Sequence, residues 1–391
     1  MNVNFLSIKE AVEPIVGGYW GETVELGAGN ARVIRNGDVL ESGEIGPNVP
    51  ERKLTEREIA KSRLHSGDIL ITMSGNVGRV ARARKELHED GKPYVASNFV
   101  KILRTKGNIL PEYLFFLLKS PQFQRELKKH TRGVAIQNLS VGVFNQKFIP
   151  AIAKKAQGQI VSQLEETEML KRKRREADKK MTELIPALFV KMFGAPSDWK
   201  IKWNSVTIGD VSSFITSGSR GWATYYAETG ARFIRVQNLA GHKLNFDDIA
   251  FVNPPATAET IRTRVQPNDL LLAITGNTIG LSALTPEDVG EAYVSQHVAI
   301  IRPNQKIDPV FLSVFVALKN GIQEQISEMY YGQTKPALSL AQVRDLNLPL
   351  PPLPLQKEFA EKVLQIRTLE SKQKRSGEQI GYMFNSLLAK I

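Results

Sequence analysis

The stretch QGQIVSQLEETEMLKRKRREADKKMTELIPALFVKMF, residues 157–193, decides how the rest of the chain is read. It has no glycine after Gly158 and a single proline, Pro186. As one α-helix it is roughly 55 Å long, at about 1.5 Å per residue. A 4-3 spacing runs through it on Ile160, Leu164, Thr167, Lys171, Arg174, Asp178, Met181, Ile185, Leu188 and Met192. The ends of that seam are apolar and its middle is charged. The same spacing returns near the C-terminus on Phe359, Val363, Ile366, Glu370, Gln373, Gly377, Ile380, Phe384 and Leu387, each 199 residues after its counterpart. Two long helices in one register, with charged outer faces, predict a two-helix coil.

The repeat extends outward from the helices. Gly67-Asp68-Ile-Leu-Ile-Thr-Met-Ser74-Gly75-Asn76 matches Asn268-Asp269-Leu-Leu-Leu-Ala-Ile-Thr275-Gly276-Asn277. Tyr94-Val95 matches Tyr293-Val294, Arg104 matches Arg302, and Leu139-Ser140 matches Leu338-Ser339. The short apolar runs 68–73 and 99–103 predict buried strands. Residues 111–119 and 309–319 predict helices with proline in the first turn. Ser-Gly-Asn and Thr-Gly-Asn after a buried strand predict tight turns. Leu348-Pro-Leu-Pro-Pro-Leu-Pro354 predicts a stiff extended lead-in to the second helix. The chain therefore divides into a first domain (1–156), a central helix (157–194), a second domain (195–355) and a C-terminal helix (356–391). The expected fold class is α+β: two homologous α/β domains joined by two long antiparallel helices, related by a pseudo-twofold. In a centred pairing of the helices, Glu370 and Gln373 are expected among Lys171, Arg174 and Asp178.

Composition narrows the function. The net charge is +12, and it is uneven: residues 1–156 carry +8 and residues 194–355 carry −1. A basic balance suits nucleic acid, because cations release counterions condensed on phosphate. There is no cysteine, so no disulfide and no thiolate metal site, which fits a reducing, cytoplasmic setting. The five histidines, at 65, 88, 130, 242 and 297, have no ligand spacing, and no metal site is expected. No apolar run is long enough for a membrane span, and the first residues lack the pattern of a signal peptide.

The Leu-Pro-Leu-Pro-Pro-Leu-Pro-Leu-Gln356-Lys lead-in, the turns after Asp-Ile/Leu-Leu, and the helix end Lys-Met-Phe-Gly194 together carry a resemblance. With Ile215-Thr-Ser-Gly-Ser-Arg-Gly-Trp222 and Phe233-Ile-Arg-Val-Gln-Asn238, the chain resembles the DNA-specificity subunit of type I restriction–modification enzymes along its whole length. Residues 1–35 depart from the usual start of such domains. The resemblance implies a non-catalytic subunit in which each target-recognition domain reads half of a bipartite site in double-stranded DNA. It implies that the helices fix the spacer and that two methylating (modification) subunits and restriction/translocase subunits are partners. ATP and the methyl donor then belong to those partners, and the chain itself needs no cofactor. Two rivals are a DNA methyltransferase with its own recognition domain and a coiled-coil scaffold that reads no DNA. Asn253-Pro-Pro-Ala256 is similar to a methyltransferase motif, but Ala256 stands where an aromatic must hold the flipped base. Leu26-Gly27-Ala-Gly29 is too short a glycine pattern for a cofactor site.

Candidate DNA contacts in the second domain are Ser219, Arg220 and Trp222 in one loop, Arg235, Gln237 and Asn238 after a strand, Thr275 and Asn277 in the turn, and Thr334 and Lys335 after a helix. Arg220 has the fork that reads guanine, and the flanking glycines let backbone approach closely. In the first domain the candidates are Ser74, Asn76, Arg79, Arg132, Gln137 and Asn138. Arg79, Arg82 and Arg84 read as phosphate contacts or as a solvated basic face. The run KRKRREADKK at 171–180 spreads its charge around the helix and reads as a solvated or partner-facing surface.

Overall fold

Duplicated buried side chains set the architecture. The computed structural model describes residues 4–84, 87, 91–131, 138–330 and 337–389. It divides into two units, Met1–Arg175 with Arg375–Ile391, and Glu176–Lys374. Each unit thus takes in part of both long helices, rather than ending where the globular sequence ends.

The helices are Lys154–Phe193 and Leu353–Ala389, each three residues longer at its start than the spacing alone marked. Pro354 falls in the first turn of the second helix, where a missing N–H costs nothing, so the proline-rich run is strand and helix start rather than a free lead-in. The first helix continues through Pro186. Within the first unit the helical segments run antiparallel: Lys171 Nζ lies 4.1 Å from the centroid of the Phe384 ring, and Arg174 Cγ lies 3.8 Å from where a Cβ on Gly377 would stand. Phe384 and Leu388 join Val161 and Leu164 in the core of that unit. In the second unit Phe189 and Phe193 meet Phe359 with ring centroids 5.4 and 5.2 Å apart. Each such buried aromatic contributes about 1.5–3 kcal/mol, so the helix ends are fused to the domain cores. Glu370, at the charged middle of the second helix, pairs with Lys243 at 2.7 Å.

Both units repeat the same sheets. In the first, Val16–Gly17, Val100–Leu103, Ile69–Thr72 and Val80–Arg82 form one antiparallel sheet in that order. Its counterpart is Ser212–Ser217, Val298–Pro303, Leu270–Ala273 and Ser282–Leu284. A second four-stranded sheet in each unit holds a parallel pair, Ala31–Ile34 with Tyr94–Ala96 and Ala231–Ile234 with Ala292–Val294. Two-stranded sheets pair the entry and exit of each domain, Asn4–Ser7 with Phe148–Ala151 and Asn204–Thr207 with Asn347–Leu350. The helices Pro111–Lys119 and Pro309–Ala317 start at proline, as their sequences predict, and are buried along most of their length.

Candidate nucleic-acid interface

One end of the antiparallel sheet in the second unit gathers Ser219, Arg220, Trp222, Thr275 and Asn277. Register places Ser217 opposite Ala299 and Ala273 opposite Val298, so the loops that follow Ser217 and Ala273 and the loop that precedes Val298 emerge side by side. The turn after Ala273 has Gly276 at φ +71°, a conformation that a β-carbon disfavours. Thr275 bridges Ala337, and Leu338 donates its N–H to the Ile274 carbonyl at 2.8 Å, which brings the segment just before the helix Leu340–Asp345 against the turn. Thr275 Oγ1 lies 2.7 Å from His297 Nδ1, and Asn277 is exposed.

The loop Ser217–Trp222 is held from below. Gly218 packs so closely that a β-carbon would run into the Val294 carbonyl. Arg262 donates to the Ser217 carbonyl at 2.9 Å and to Ser219 Oγ at 2.7 Å, and also to Thr216 Oγ1. Trp222 is 3% exposed and stacks on Phe233 at 5.2 Å, so its ring anchors the loop to the core. Arg220, between these anchors, is exposed and has no hydrogen-bond or ion-pair partner among the described residues. The loop therefore presents one free guanidinium from a fixed frame.

The three candidates after the strand Ala231–Ile234 are engaged elsewhere. Asn238 is buried, accepts the Arg235 N–H at 2.9 Å and donates to the carbonyls of Asn245 and Asp248. Arg235 donates to the Asp248 carbonyl at 2.8 Å, and Gln237 donates to the Asp248 carboxylate at 2.8 Å. These side chains shape the 236–248 loop. Asn253-Pro-Pro-Ala256 is a loop after the strand Ala250–Val252.

The first unit has the same frame. Ser74 bridges Asn138, and Leu139 donates to the Met73 carbonyl at 2.9 Å. Asn76 is exposed in the turn, and Gly18 packs under the Ala96 carbonyl as Gly218 does under Val294. Arg79 pairs with Glu41 at 3.0 Å. Arg82 is neither free nor solvated: it lies 2.7 Å from Glu165 of the long helix and 4.6 Å from the Phe115 ring centroid, with 12% of its side chain exposed. Lys119 beside it binds Glu168 at 3.2 Å, and burial holds its ammonium below the usual lysine range. These cations fasten the helix to the domain. Arg84 is exposed. Arg132, Gln137, Thr334 and Lys335 lie outside the described residues.

Sequence reasoning missed Arg262, His297, Trp20 and Phe99, all at the same sheet ends. The repeat itself held the signal for one of them: Trp20-Gly21 stands 200 residues before Arg220-Gly221. Among the described residues no group of three or more His, Cys, Asp or Glu is placed to hold a metal, and no helix is long and apolar enough to cross a membrane.

Comparison with known proteins agrees with this duplicated frame. The chain is 24% identical over 352 residues to the specificity subunit of the type I restriction enzyme MjaVIII of Methanocaldococcus jannaschii, covering 84% of this chain and 78% of that protein. It is 25% identical over 129 residues to the EcoBI specificity subunit of Escherichia coli, 32% of this chain and 26% of that one. The fold is that of the type I restriction-modification S subunit from M. genitalium, with TM-score 0.61, 17% identity and coverage of 99% and 96%. A chain from a structure describing assembly and conformational transition of the type I R-M system gives TM-score 0.63 at 16% identity, covering 100% and 98%. The sequence pattern described as type I restriction modification DNA specificity domain matches twice, over residues 24–177 and 200–378, and the chain belongs to that family.

Proposed function

We propose that this chain is the non-catalytic, DNA-reading subunit of a type I restriction–modification system. Each unit reads one half of a bipartite site in double-stranded DNA. The two long helices set the distance between the halves and recruit two methylating subunits, with restriction subunits joining the complex. The observation that carries this reading is the duplicated frame: two units of one design, each presenting a turn, a glycine-anchored loop and a returning segment at one end of a rigid sheet. Within it, Arg220, Asn277, Thr275, Ser74, Asn76 and Asn138 are the residues we assign to DNA, with Ser219 and Trp222 fixing the loop that presents Arg220. Side chains on a rigid frame discriminate bases because their hydrogen bonds cannot drift to a neighbouring edge.

Methylome sequencing of the host with and without this gene tests the reading. Deletion should abolish methylation at one motif made of two specific halves around a non-specific spacer. An unchanged methylome, or methyl transfer to DNA by the purified chain alone, contradicts it.

A further inference from the structure

We propose that Trp20 and Phe99, packed edge to face on the sheet end of the first unit, form an apolar reader for a thymine C5-methyl group in the major groove of that unit's half-site. The inference rests on the DNA-reading function proposed above and extends it to residues that no resemblance assigns.

Trp20 and Phe99 are 44% and 42% exposed, with ring centroids 6.1 Å apart and planes at 71°. Large aromatics half in water are costly to keep there, and these two sit together although 79 residues separate them in sequence. Their backbone positions are those of Arg220 and His297 in the second unit. Gly17 pairs with Lys101 as Ser217 pairs with Ala299, which makes Trp20 the counterpart of Arg220. The Phe99 carbonyl accepts the Met73 N–H at 3.0 Å as the His297 carbonyl accepts the Ile274 N–H at 3.0 Å, which makes Phe99 the counterpart of His297. One frame thus carries Trp and Phe in the first unit and Arg and His in the second.

That exchange of chemistry at fixed positions is what two units need in order to read different half-sites. Among the base edges of the major groove, only thymine offers a methyl group, and apolar side chains are its natural contact. Cations flank the pair: the Arg52 guanidinium lies 5.8 Å from the Trp20 ring centroid, and Lys101 donates to the Asn98 carbonyl at 2.7 Å. They favour a polyanion over an apolar protein surface as the occupant.

The test uses the 391-residue chain and duplexes carrying the methylome-defined site. Each thymine of one half-site is replaced singly by uracil, which removes only the methyl group. One replacement should weaken binding about fourfold, the weight of one buried methyl group. Trp20→Ala and Phe99→Ala should each erase that difference while the other half-site is still discriminated, and Phe99→Leu should keep it. A wild-type chain that discriminates sequences but is indifferent to every thymine methyl overturns the assignment and leaves the DNA-reading function standing. A methyl preference that survives both alanine variants overturns it equally. A chain that discriminates no sequence removes both.

Discussion

Asp308 donates its backbone N–H to Gln356 Oε1 at 2.8 Å, and Gln356 is fully buried at the start of the second long helix. Its Nε2 donates in turn to the Pro351 carbonyl at 2.8 Å. In the first unit Gln157 repeats the arrangement, accepting the Leu110 N–H at 2.9 Å and donating to the carbonyls of Asn108 and Ile152, both at 2.8 Å. One carboxamide in each unit therefore locks a long helix to the N-terminus of the buried domain helix, so the angle of the helix is set by the domain that reads DNA.

Gln356→Ala should destabilise the second unit by about 1–3 kcal/mol, because it strands a buried donor and a buried acceptor together. Gln157→Ala should do the same to the first unit. Urea denaturation of each variant checks this, and a loss below about 0.5 kcal/mol would mean that the carboxamide is dispensable.

Asp269 is fully buried and accepts two bonds from the Arg302 guanidinium, both at 2.8 Å. Arg104 and Asp68 repeat the pair at 2.9 and 3.1 Å. Arg302→Met leaves a buried carboxylate without its cation and should cost about 3–5 kcal/mol. Replacing both partners, Arg302→Met with Asp269→Leu, should cost less than the single change. Thermal unfolding of the three proteins decides it; equal losses for the single and double variants would contradict the account.

Sequence showed the helices and the repeat because apolar spacing and proline at a helix start are local signals. Pro111 and Pro309 open their helices, and the run from Ile160 to Met192 lies in one helix. The site was legible only as loops. Which side chains in them are free depends on partners far away in sequence: Arg82 is taken by Glu165, Ser219 by Arg262, and Gln237 by Asp248. Three arginines that look alike in sequence, Arg82, Arg220 and Arg235, differ because only the fold supplies or withholds a carboxylate. Trp20 and Phe99 went unnoticed for the same reason, since neither is distinctive until the sheet places them together.

Glu126 lies 3.0 Å from the Lys147 ammonium and 3.2 Å from both Lys129 and His130, and these partners draw its carboxyl down to about 2. A carboxyl lowered on folding contributes stability above its ordinary value of 4.5 and loses it as pH falls toward 2. Glu126→Gln should therefore be slightly less stable than wild type at pH 7. The two stability curves should converge as pH drops through that window. Urea midpoints between pH 7 and 2 test this; curves that stay parallel would show that Glu126 is not the group responsible.

The helices should act as a ruler. Four residues inserted after Arg175 and four after Lys374 fall between the two units and leave the fused helix ends intact. They add roughly 6 Å, close to two base-pair rises, and about one turn, so each seam returns to its face. The half-sites should stay the same and the spacer should grow by one or two base pairs. Methylome sequencing of a host carrying the variant gives the answer; changed half-site bases with an unchanged spacer would contradict the ruler.

Arg220 and Arg262 should fail in different ways. Arg220 is the free guanidinium of a loop whose other side chains are occupied, in a domain whose net charge of −1 gives little general attraction for phosphate. If its fork reads a guanine, Arg220→Ala costs about 1–3 kcal/mol and relaxes preference at one position of one half-site. Arg262 touches the loop from beneath through Thr216, Ser217 and Ser219. Arg262→Ala should loosen the frame, lower affinity for the specific site, and blur preference at every position that the loop reads. Neither change should flatten the salt dependence as losing the exposed Arg84 would, because a phosphate contact contributes to all sequences alike and carries a counterion. Affinities for a panel of single-base variants at two salt concentrations separate the three outcomes. If Arg220→Ala weakens every duplex equally and lowers the salt slope by about one ion, Arg220 holds phosphate, and the base-reading residue of that loop must be sought among its backbone N–H groups.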